Sequence, residues 1–312
     1  MSGFQHVLVP VDFSAESIQA LHYGCAFARN DKAPLSVLHA VQNLAPLTFG
    51  GAEVVSNIAV QYADEAEANA RKALENVVPA EWMQGLEIRR EAVVGATAET
   101  ILDYARSHQV DLIVVGTHGR GGVTRMLLGS VAEKIVQRAP CSVLVVRQRE
   151  HEFVTPGSEL PRPQNVLVPI DFSDRGQKAL EEGADLAARF GAELHLLHVV
   201  EDTTPATSEL ATTSSVFRAY MRELTTQGEK QVEDVQIPNL GVSVVQRKVV
   251  IGSPIARITA YAAEKEIDLI VMGTHGRTGA MHWLLGSVAE RVVRSAPCPV
   301  MVCRRTADDP AK

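Results

Sequence analysis

The chain of 312 residues is long enough for two domains of ordinary size, and its 46% hydrophobic and 21% charged residues are typical of a globular protein. Its formal net charge of −7 argues against a nucleic-acid partner bound through a broad basic face, while leaving room for a local phosphate site. No apolar run approaches the roughly 20 residues that cross a bilayer. The opening stretch MSGFQHVLVPVDFS has the pattern of a strand rather than of a signal peptide, so we predict a cytoplasmic chain with no membrane partner.

The first half of the chain alternates short runs of Val, Leu and Ile with helical stretches. The first helix is predicted to begin after the capping residue Ser14, and further helical patterns fit 64–76 and 98–108. Continuous apolar strands that alternate with helices build a parallel sheet with right-handed crossovers and helices on both faces. The predicted strands are 6–12, 35–41, 87–94, 111–116 and 142–147.

The same series returns in the second half, where VLVPVDFS becomes VLVPIDFS and APCSVLVVR becomes APCPVMVCR. The helix that follows VPIDFS is predicted to start after Ser173 and to stop at Gly191. The copies lie about 158 residues apart, far more than the roughly 20–50 residues of a solenoid repeat. We therefore predict two homologous domains, 1–147 and 165–305, a proline-containing linker at 148–164 and a tail at 306–312.

A glycine-spaced segment follows the fourth strand of each copy. It reads GTHGRGGVTRMLLGSVAE from Gly116 and GTHGRTGAMHWLLGSVAE from Gly273, so both copies share the spacing G-x2-G-x9-G-S. Such a loop lets backbone N–H groups approach an oxyanion, and the helix behind it presents unpaired N–H groups and a partial positive charge. The alternative is structural, because Ser130 and Glu133 fit a capping box, as do their counterparts in the second copy. Spacing alone leaves the two interpretations equal.

An aspartate ends the first strand of each copy, Asp12 and Asp171. If the strand order is 3-2-1-4-5, the first and fourth strands flank the crevice in which open α/β sheets bind ligands. A carboxylate there can accept hydrogen bonds from ribose hydroxyls or help to hold a metal. The alternative is that it only caps a neighbouring helix, but its recurrence beside both glycine loops favours a ligand. The P-loop and dinucleotide fingerprints are absent from the sequence.

The combined pattern resembles the universal stress protein family in its tandem two-domain form. G-x2-G-x9-G-[ST] after the fourth strand is that family's ATP-binding signature, and the VPVDFS and VPIDFS starts and the APCSVLVV end are also similar. The resemblance covers nearly the whole chain except the linker and two segments where the copies diverge, 42–62 and 201–227, which we expect to be surface loops and helix edges. It implies two doubly wound α/β domains of the adenine nucleotide alpha hydrolase-like kind, each with a five-stranded parallel sheet of order 3-2-1-4-5 and helices on both faces.

The resemblance also implies two sites for an adenine nucleotide, whether ATP, ADP or AMP, with or without Mg²⁺. The implied nucleotide-binding residues of the first domain are Pro10, Val11, Asp12, Ala40, Gly116, Gly119, Arg120, Gly129, Ser130 and Val131. Those of the second are Pro169, Ile170, Asp171, Val199, Gly273, Gly276, Arg277, Gly286, Ser287 and Val288.

Within each implied site the strand ends contact adenine and ribose, and the glycine loop contacts the phosphates. Arg120 and Arg277 are explained equally well as solvated surface residues. Ala40 replaces the valine that ATP-binding members commonly place there, whereas Val199 keeps it. A smaller side chain loses apolar contact with the base, so the first site is expected to bind more weakly.

The implied function is stress response or signalling through nucleotide-dependent conformation or partner binding. A slow ATPase and a nucleotide-free interaction scaffold are the alternatives, since no catalytic constellation is visible. Family members pair through their fifth strands, which implies an intramolecular pseudo-dimer and allows a homodimer. Recurrent histidines, His39 and His198 among them, are expected to be hydrogen-bonded core or rim residues. No metal site is expected, and the four cysteines are expected to pack as small hydrophobes, with a redox role for Cys141 and Cys298 the most distant alternative.

Overall fold

The chain divides into two compact units, formed mainly by Met1–Gln148 and by Arg162–Arg304. The computed structural model describes residues 3–42, 53–117, 128–147, 153–154, 160–201, 215–237, 241–242, 245–274 and 285–304, the side chains of 53–62 and 174–175 excepted.

Each unit alternates strands and helices in the predicted manner. The first unit contains β1 (Val7–Pro10), α1 (Ala15–Asp31), β2 (Leu35–Val41), α2 (Glu53–Glu75), α3 (Ala80–Met83), β3 (Ile88–Val94), α4 (Thr97–Ser107), β4 (Leu112–Gly116), α5 (Ser130–Arg138) and β5 (Ser142–Val146). The second contains β6 (Asn165–Ile170), α6 (Asp174–Phe190), β7 (Glu193–Val200), α7 (Ser215–Glu233), β8 (Val245–Ile251), α8 (Pro254–Glu264), β9 (Leu269–Gly273), α9 (Ser287–Ser295) and β10 (Val300–Cys303).

The strand order of each unit confirms the predicted 3-2-1-4-5 arrangement. It is β3-β2-β1-β4-β5 in the first unit and β8-β7-β6-β9-β10 in the second, with parallel pairing. β6 pairs with β9 only at Val166–Leu269 and Leu167–Ile270, whereas its pairing with β7 continues to Ile170. The carboxyl ends of β6 and β9 therefore part, and the strand order reverses at this place. This geometry opens the crevice in which such sheets bind ligands.

Helices α1 and α6 begin as predicted, and α6 also ends as predicted. Ser14 Oγ accepts a hydrogen bond from Ser17 N at 3.3 Å, and Ser173 Oγ accepts one from Gly176 N at 3.1 Å. Gly191 follows α6 with a φ of 68°, a left-handed C-terminal stop. The pattern at 64–76 belongs to the longer α2, and the short α3 had no counterpart in the prediction.

Both helices cross the sheet at a glycine. A Cβ on Gly24 of α1 would lie 2.2 Å from Val9 Cγ2, and one on Gly183 of α6 would lie 2.4 Å from Val168 Cγ2. Glycine costs helix stability in such positions. Its presence is explained by the close approach of helix and strand, which buries the apolar faces of both.

The cysteines are buried in the interior of the units, as the sequence predicted. Burial raises the pKa of the Cys25 thiol to about 12, and it also raises the pKa values of Cys298 and Cys303. Cys141 is 1% exposed. Because the thiolate is the reactive form, these surroundings disfavour a redox role.

A buried histidine on β7 makes stability depend on pH. His195 Nδ1 lies 3.0 Å from Tyr261 Oη, and burial lowers the pKa of His195 from its ordinary value of 6.5 despite the Glu193 carboxylate 3.8 Å from Nε2. The unfolded chain therefore binds a proton at a higher pH than the folded chain. The stabilising contribution is present above the unfolded pKa and is lost as the pH falls below it.

We expect the variant His195→Asn to lose less stability than the wild type between pH 7 and pH 5. Urea unfolding at several pH values measures this slope. The matched control is Tyr261→Phe, which removes the hydroxyl partner but keeps the histidine, and which should retain the wild-type slope. Equal slopes for His195→Asn and the wild type would show that this ring does not titrate on unfolding.

Candidate functional site

A cavity of about 690 Å³ opens at the carboxyl ends of β6, β7 and β9 in the second unit. It lies at the reversal of strand order, and its volume is within the range of small-molecule sites. Eight of the residues predicted for the second site line it, namely Pro169, Ile170, Asp171, Val199, Gly273, Gly286, Ser287 and Val288. The predicted Gly276 and Arg277 lie outside the described residues.

The matching residues of the first unit occupy the same positions on its elements. Pro10, Val11 and Asp12 end and follow β1, Ala40 lies near the end of β2, and Gly116 ends β4. Gly129 precedes α5, whose first turn contains Ser130 and Val131. Gly119 and Arg120 lie outside the described residues. The structure therefore brings the described members of both predicted sets to the carboxyl edge of their sheets.

The aspartate after the first strand of each unit supports the cap of the following helix. Asp171 Oδ1 accepts hydrogen bonds from Ser173 N at 3.1 Å and Ser173 Oγ at 2.6 Å, and Ser173 Oγ in turn caps α6. Asp12 Oδ1 holds Ser14 in the same way, at 3.0 and 2.5 Å. The alternative that the aspartate caps the following helix is thus realised indirectly, because the serine makes the cap and the aspartate holds the serine in place. Asp171 combines this role with a place in the cavity wall.

A phenylalanine between this aspartate and serine adopts a left-handed conformation in both units. The φ angles are 63° for Phe13 and 61° for Phe172. An aromatic residue in this region costs on the order of 1–3 kcal/mol, and such residues cluster at functional sites. The rings rest against His39 and His198, with centroids 4.8 and 4.7 Å apart. The strained turn bends the chain back so that the carboxylate meets its serine.

The histidines at the ends of the second strands hold the first strands in place. His198 Nδ1 donates to Ile170 O at 2.9 Å, and His39 Nδ1 donates to Val11 O at 2.7 Å. A carbonyl oxygen only accepts, so Nδ1 carries the hydrogen in both rings. The expectation of hydrogen-bonded rim residues is confirmed for this pair. The bond ties the end of β7, which carries Val199, to the end of β6, which leads into Asp171.

The glycine motif ends in a helix start without a capping box. Gly129 and Gly286 are the N-caps of α5 and α9, with φ, ψ of −60°, 145° and −63°, 146°, and neither helix has a side-chain cap. The capping-box alternative is not realised, because each glycine takes the extended cap position and the serine becomes the first helical residue. Gly286 N donates to Thr274 O at 2.6 Å, which fixes the glycine against the end of β9.

This helix start borders the cavity, and its first backbone N–H groups have no acceptor within the helix. Glu290 N is the first of α9 to donate to a carbonyl within the helix start, Gly286 O, at 3.0 Å. The three preceding N–H groups have no acceptor inside the helix, by the geometry of helix termini. They belong to Ser287, Val288 and Ala289, and all three residues line the cavity. The φ of −63° at Gly286 is accessible to any residue, so the backbone conformation does not require glycine there.

Gly116, by contrast, is required for packing. A Cβ on it would lie 2.7 Å from Glu16 O and 2.8 Å from Glu16 C, in the first turn of α1. The first glycine of the motif therefore lets α1 lie against the end of β4. The motif thus combines a glycine that packing requires with a glycine at a helix N-cap whose backbone conformation any residue can adopt.

Sequence reasoning missed one wall of the cavity. Leu224, Gln227, Gly228 and Gln231 of α7 line it, together with Pro254 and Ile258 of α8. Part of the divergent segment that we expected to form surface loops and helix edges is thus a helix that faces the candidate site. The sequence feature that could have indicated this wall is the spacing i, i+3, i+4, i+7, which places the four α7 residues on one helical face.

The donor set suits an anion better than a metal cage. Within the described parts of the chain, no three His, Cys, Asp or Glu side chains converge on a metal position. Backbone N–H groups, Ser287 and Thr274 lie instead on one side of the cavity, and the apolar Ile170 and Val199 lie among its other lining residues. Among the same described residues, no helix has the length and hydrophobicity of a membrane span.

Comparisons with known proteins identify relatives along the whole chain. The model of the universal stress protein family matches residues 3–147 and 163–304. A universal stress protein of Mycolicibacterium smegmatis is 32% identical over 309 residues, which cover 96% of each chain. One from Mycobacterium tuberculosis is 32% identical over 310 residues, covering 97% of this chain and 98% of the relative. A solved universal stress protein from Archaeoglobus fulgidus shares the fold, with a TM-score of 0.58 at 23% identity over 97% of both chains.

Proposed function

The chain belongs to the universal stress protein family, and from that premise we propose that each unit binds an adenine nucleotide, whether ATP, ADP or AMP. The protein then acts in stress response or signalling, because its conformation or its partner binding changes with nucleotide occupancy. The observation that carries the proposal is the uncapped start of α9, which faces a cavity at the reversal of strand order. The first unit repeats the same elements and the same uncapped helix start.

The phosphates are assigned to the glycine side of the cavity. The N–H groups of Ser287 and Val288 and the positive end of the helix dipole favour an anion there. Ser287 Oγ, which makes no cap, can add a donor. If Mg²⁺ accompanies the phosphates, Asp171 is the carboxylate among the predicted residues that is placed to approach it.

The nucleoside is assigned to the other side. Ile170 and Val199 provide apolar surface for a base, and Asp171, which directly follows β6, lines the same cavity. The choice of adenine rests on family membership, because these residues by themselves favour only an anion with an apolar group beside it. We propose binding rather than rapid turnover, since the hydrogen bonds of Asp171 Oδ1 and His198 Nδ1 maintain the shape of the site.

Nucleotide released by denaturing the freshly purified protein, followed by titration of emptied protein with ATP, tests the proposal. Gly286→Glu places a carboxylate where the phosphates are assigned. Like-charge contacts cost several kcal/mol, so we expect the second site to bind ATP at least about 100-fold more weakly. The double variant Gly129→Glu and Gly286→Glu should lose both sites.

The matched control is Ser295→Glu, which adds the same charge to α9 at its exposed far end. This control should bind ATP as the wild type does. If the wild type releases no nucleotide and ATP does not raise its melting temperature, the proposal is wrong and an interaction scaffold is the better description. Equal losses in Gly286→Glu and Ser295→Glu would also contradict it.

A further inference from the structure

One face of α7 forms a wall of the cavity beside the base side of the site. Leu224, Gln227, Gly228 and Gln231 follow the i, i+3, i+4, i+7 spacing and all line the cavity. Two of the four are glutamines, whose amide groups each offer two donors and one acceptor. The wall therefore carries hydrogen-bonding groups on a rigid element.

Gly228, the glycine in this face, lets α7 lie close to the ends of β7 and β8. A Cβ on Gly228 would lie 3.2 Å from His198 Cδ2 and 3.3 Å from Val249 Cγ1. The ring of His198 is itself fixed by its bond to Ile170 O at 2.9 Å. Helix α7, His198 and the end of β6 thus form one continuous surface. Val199, the residue assigned to the base, follows His198 directly in that surface.

The two units differ at these glutamines. Helices α2 and α7 both end in glutamate, Glu75 and Glu233. Aligning the two sequences at those ends pairs buried Ala70 with buried Gly228 and buried Leu74 with buried Val232. In that alignment Gln227 corresponds to Asn69 and Gln231 to Ala73. The first unit therefore has a shorter amide at one position and no hydrogen-bonding side chain at the other.

We propose that Gln227 and Gln231 determine base specificity in the second unit, where their amides read the polar edge of the base, and that the two units consequently differ in base selectivity. The inference rests on the proposed nucleotide site. A glutamine amide pairs in bidentate fashion with the 6-amino group and an adjacent ring nitrogen of adenine. A purine that lacks the 6-amino group leaves the amide oxygen without its donor.

The test compares ATP with purine riboside triphosphate, which differs from ATP only by the missing amino group. Calorimetric titration in a Gly129→Glu background reports the second unit. We expect ATP to bind about tenfold more tightly than the purine analogue, a typical discrimination for a bidentate pair. In the double variant Gln227→Ala and Gln231→Ala the ratio should approach 1, while the ratio of ATP to AMP affinity stays unchanged because the phosphate side is intact.

The matched control is the double variant Thr226→Ala and Glu229→Ala, exposed positions of α7 that are not among the cavity residues. It should keep the full preference for ATP. Alanine favours helix formation, so both double variants should remain folded. An unchanged preference in the glutamine variant would overturn the inference and leave the nucleotide site standing. Absence of ATP binding in the Gly129→Glu parent would overturn both.

Discussion

Replacing Gly116 by alanine is expected to lower the free energy of unfolding of the first unit by about 3 kcal/mol, at the upper end for overpacking. The new methyl group would overlap the backbone of Glu16, whose O and C atoms lie 2.7 and 2.8 Å from the Cβ position. A backbone cannot rotate away as a side chain can, so the start of α1 must move from β4. Calorimetric unfolding should show a lower melting temperature for this unit.

The matched control is Gly129→Ala, in the same motif. The φ of −60° at Gly129 is accessible to alanine. Alanine is a poorer N-cap than glycine but restricts the unfolded chain, so the net change should stay within about 1 kcal/mol. If the two variants unfold alike, the distinction between a glycine that packing requires and one whose conformation alanine can adopt is incorrect.

The variant Gly183→Ala should destabilise the second unit by about 3 kcal/mol for a related reason. The new Cβ would lie 2.4 Å from Val168 Cγ2 and 3.5 Å from Val271 Cβ. Helix α6 must therefore lift from β6 or the buried valine must leave its rotamer. Both changes open space in a core whose density tolerates little adjustment.

A double-mutant cycle with Val168→Ala identifies the cause. Removing the valine methyl groups makes room for the new Cβ, so the double variant should be more stable than the sum of the two single changes implies, by about 1–3 kcal/mol. Urea unfolding of the four proteins provides the four free energies. Strict additivity would place the strain somewhere other than this helix–strand contact.

The sequence alone was sufficient for the architecture and for the strand-end residues of the site. Apolar runs predicted the strands, the repeat predicted two units, and the parallel order placed Asp171 and Gly286 at the same edge of the sheet. These features depend on periodicity and on residues close in sequence. Ser14 and Ser173 as helix caps belong to the same class, because a cap acts within one turn.

Features that depend on three-dimensional approach were not predictable. Ser130 fits a capping box by spacing, but the preceding Gly129 takes the cap position, and spacing does not reveal which of two adjacent residues is extended. The α7 wall was missed because its segment diverges between copies, although Gly228 marks a close contact. The left-handed Phe13 and Phe172 break a local preference, and such exceptions are visible only in coordinates.

The bond between Asp171 and Ser173 has a consequence for how duplicated units diverge. One carboxylate oxygen serves the folding of α6, so selection for a folded chain is enough to retain the aspartate even in a unit that has abandoned its ligand. Shared aspartates in sister units are therefore explained by the common scaffold alone and do not by themselves establish common chemistry. Differences in what the two units bind are expected at positions on which folding depends less. Ala73 and Gln231, which are exposed on their helices, are such positions.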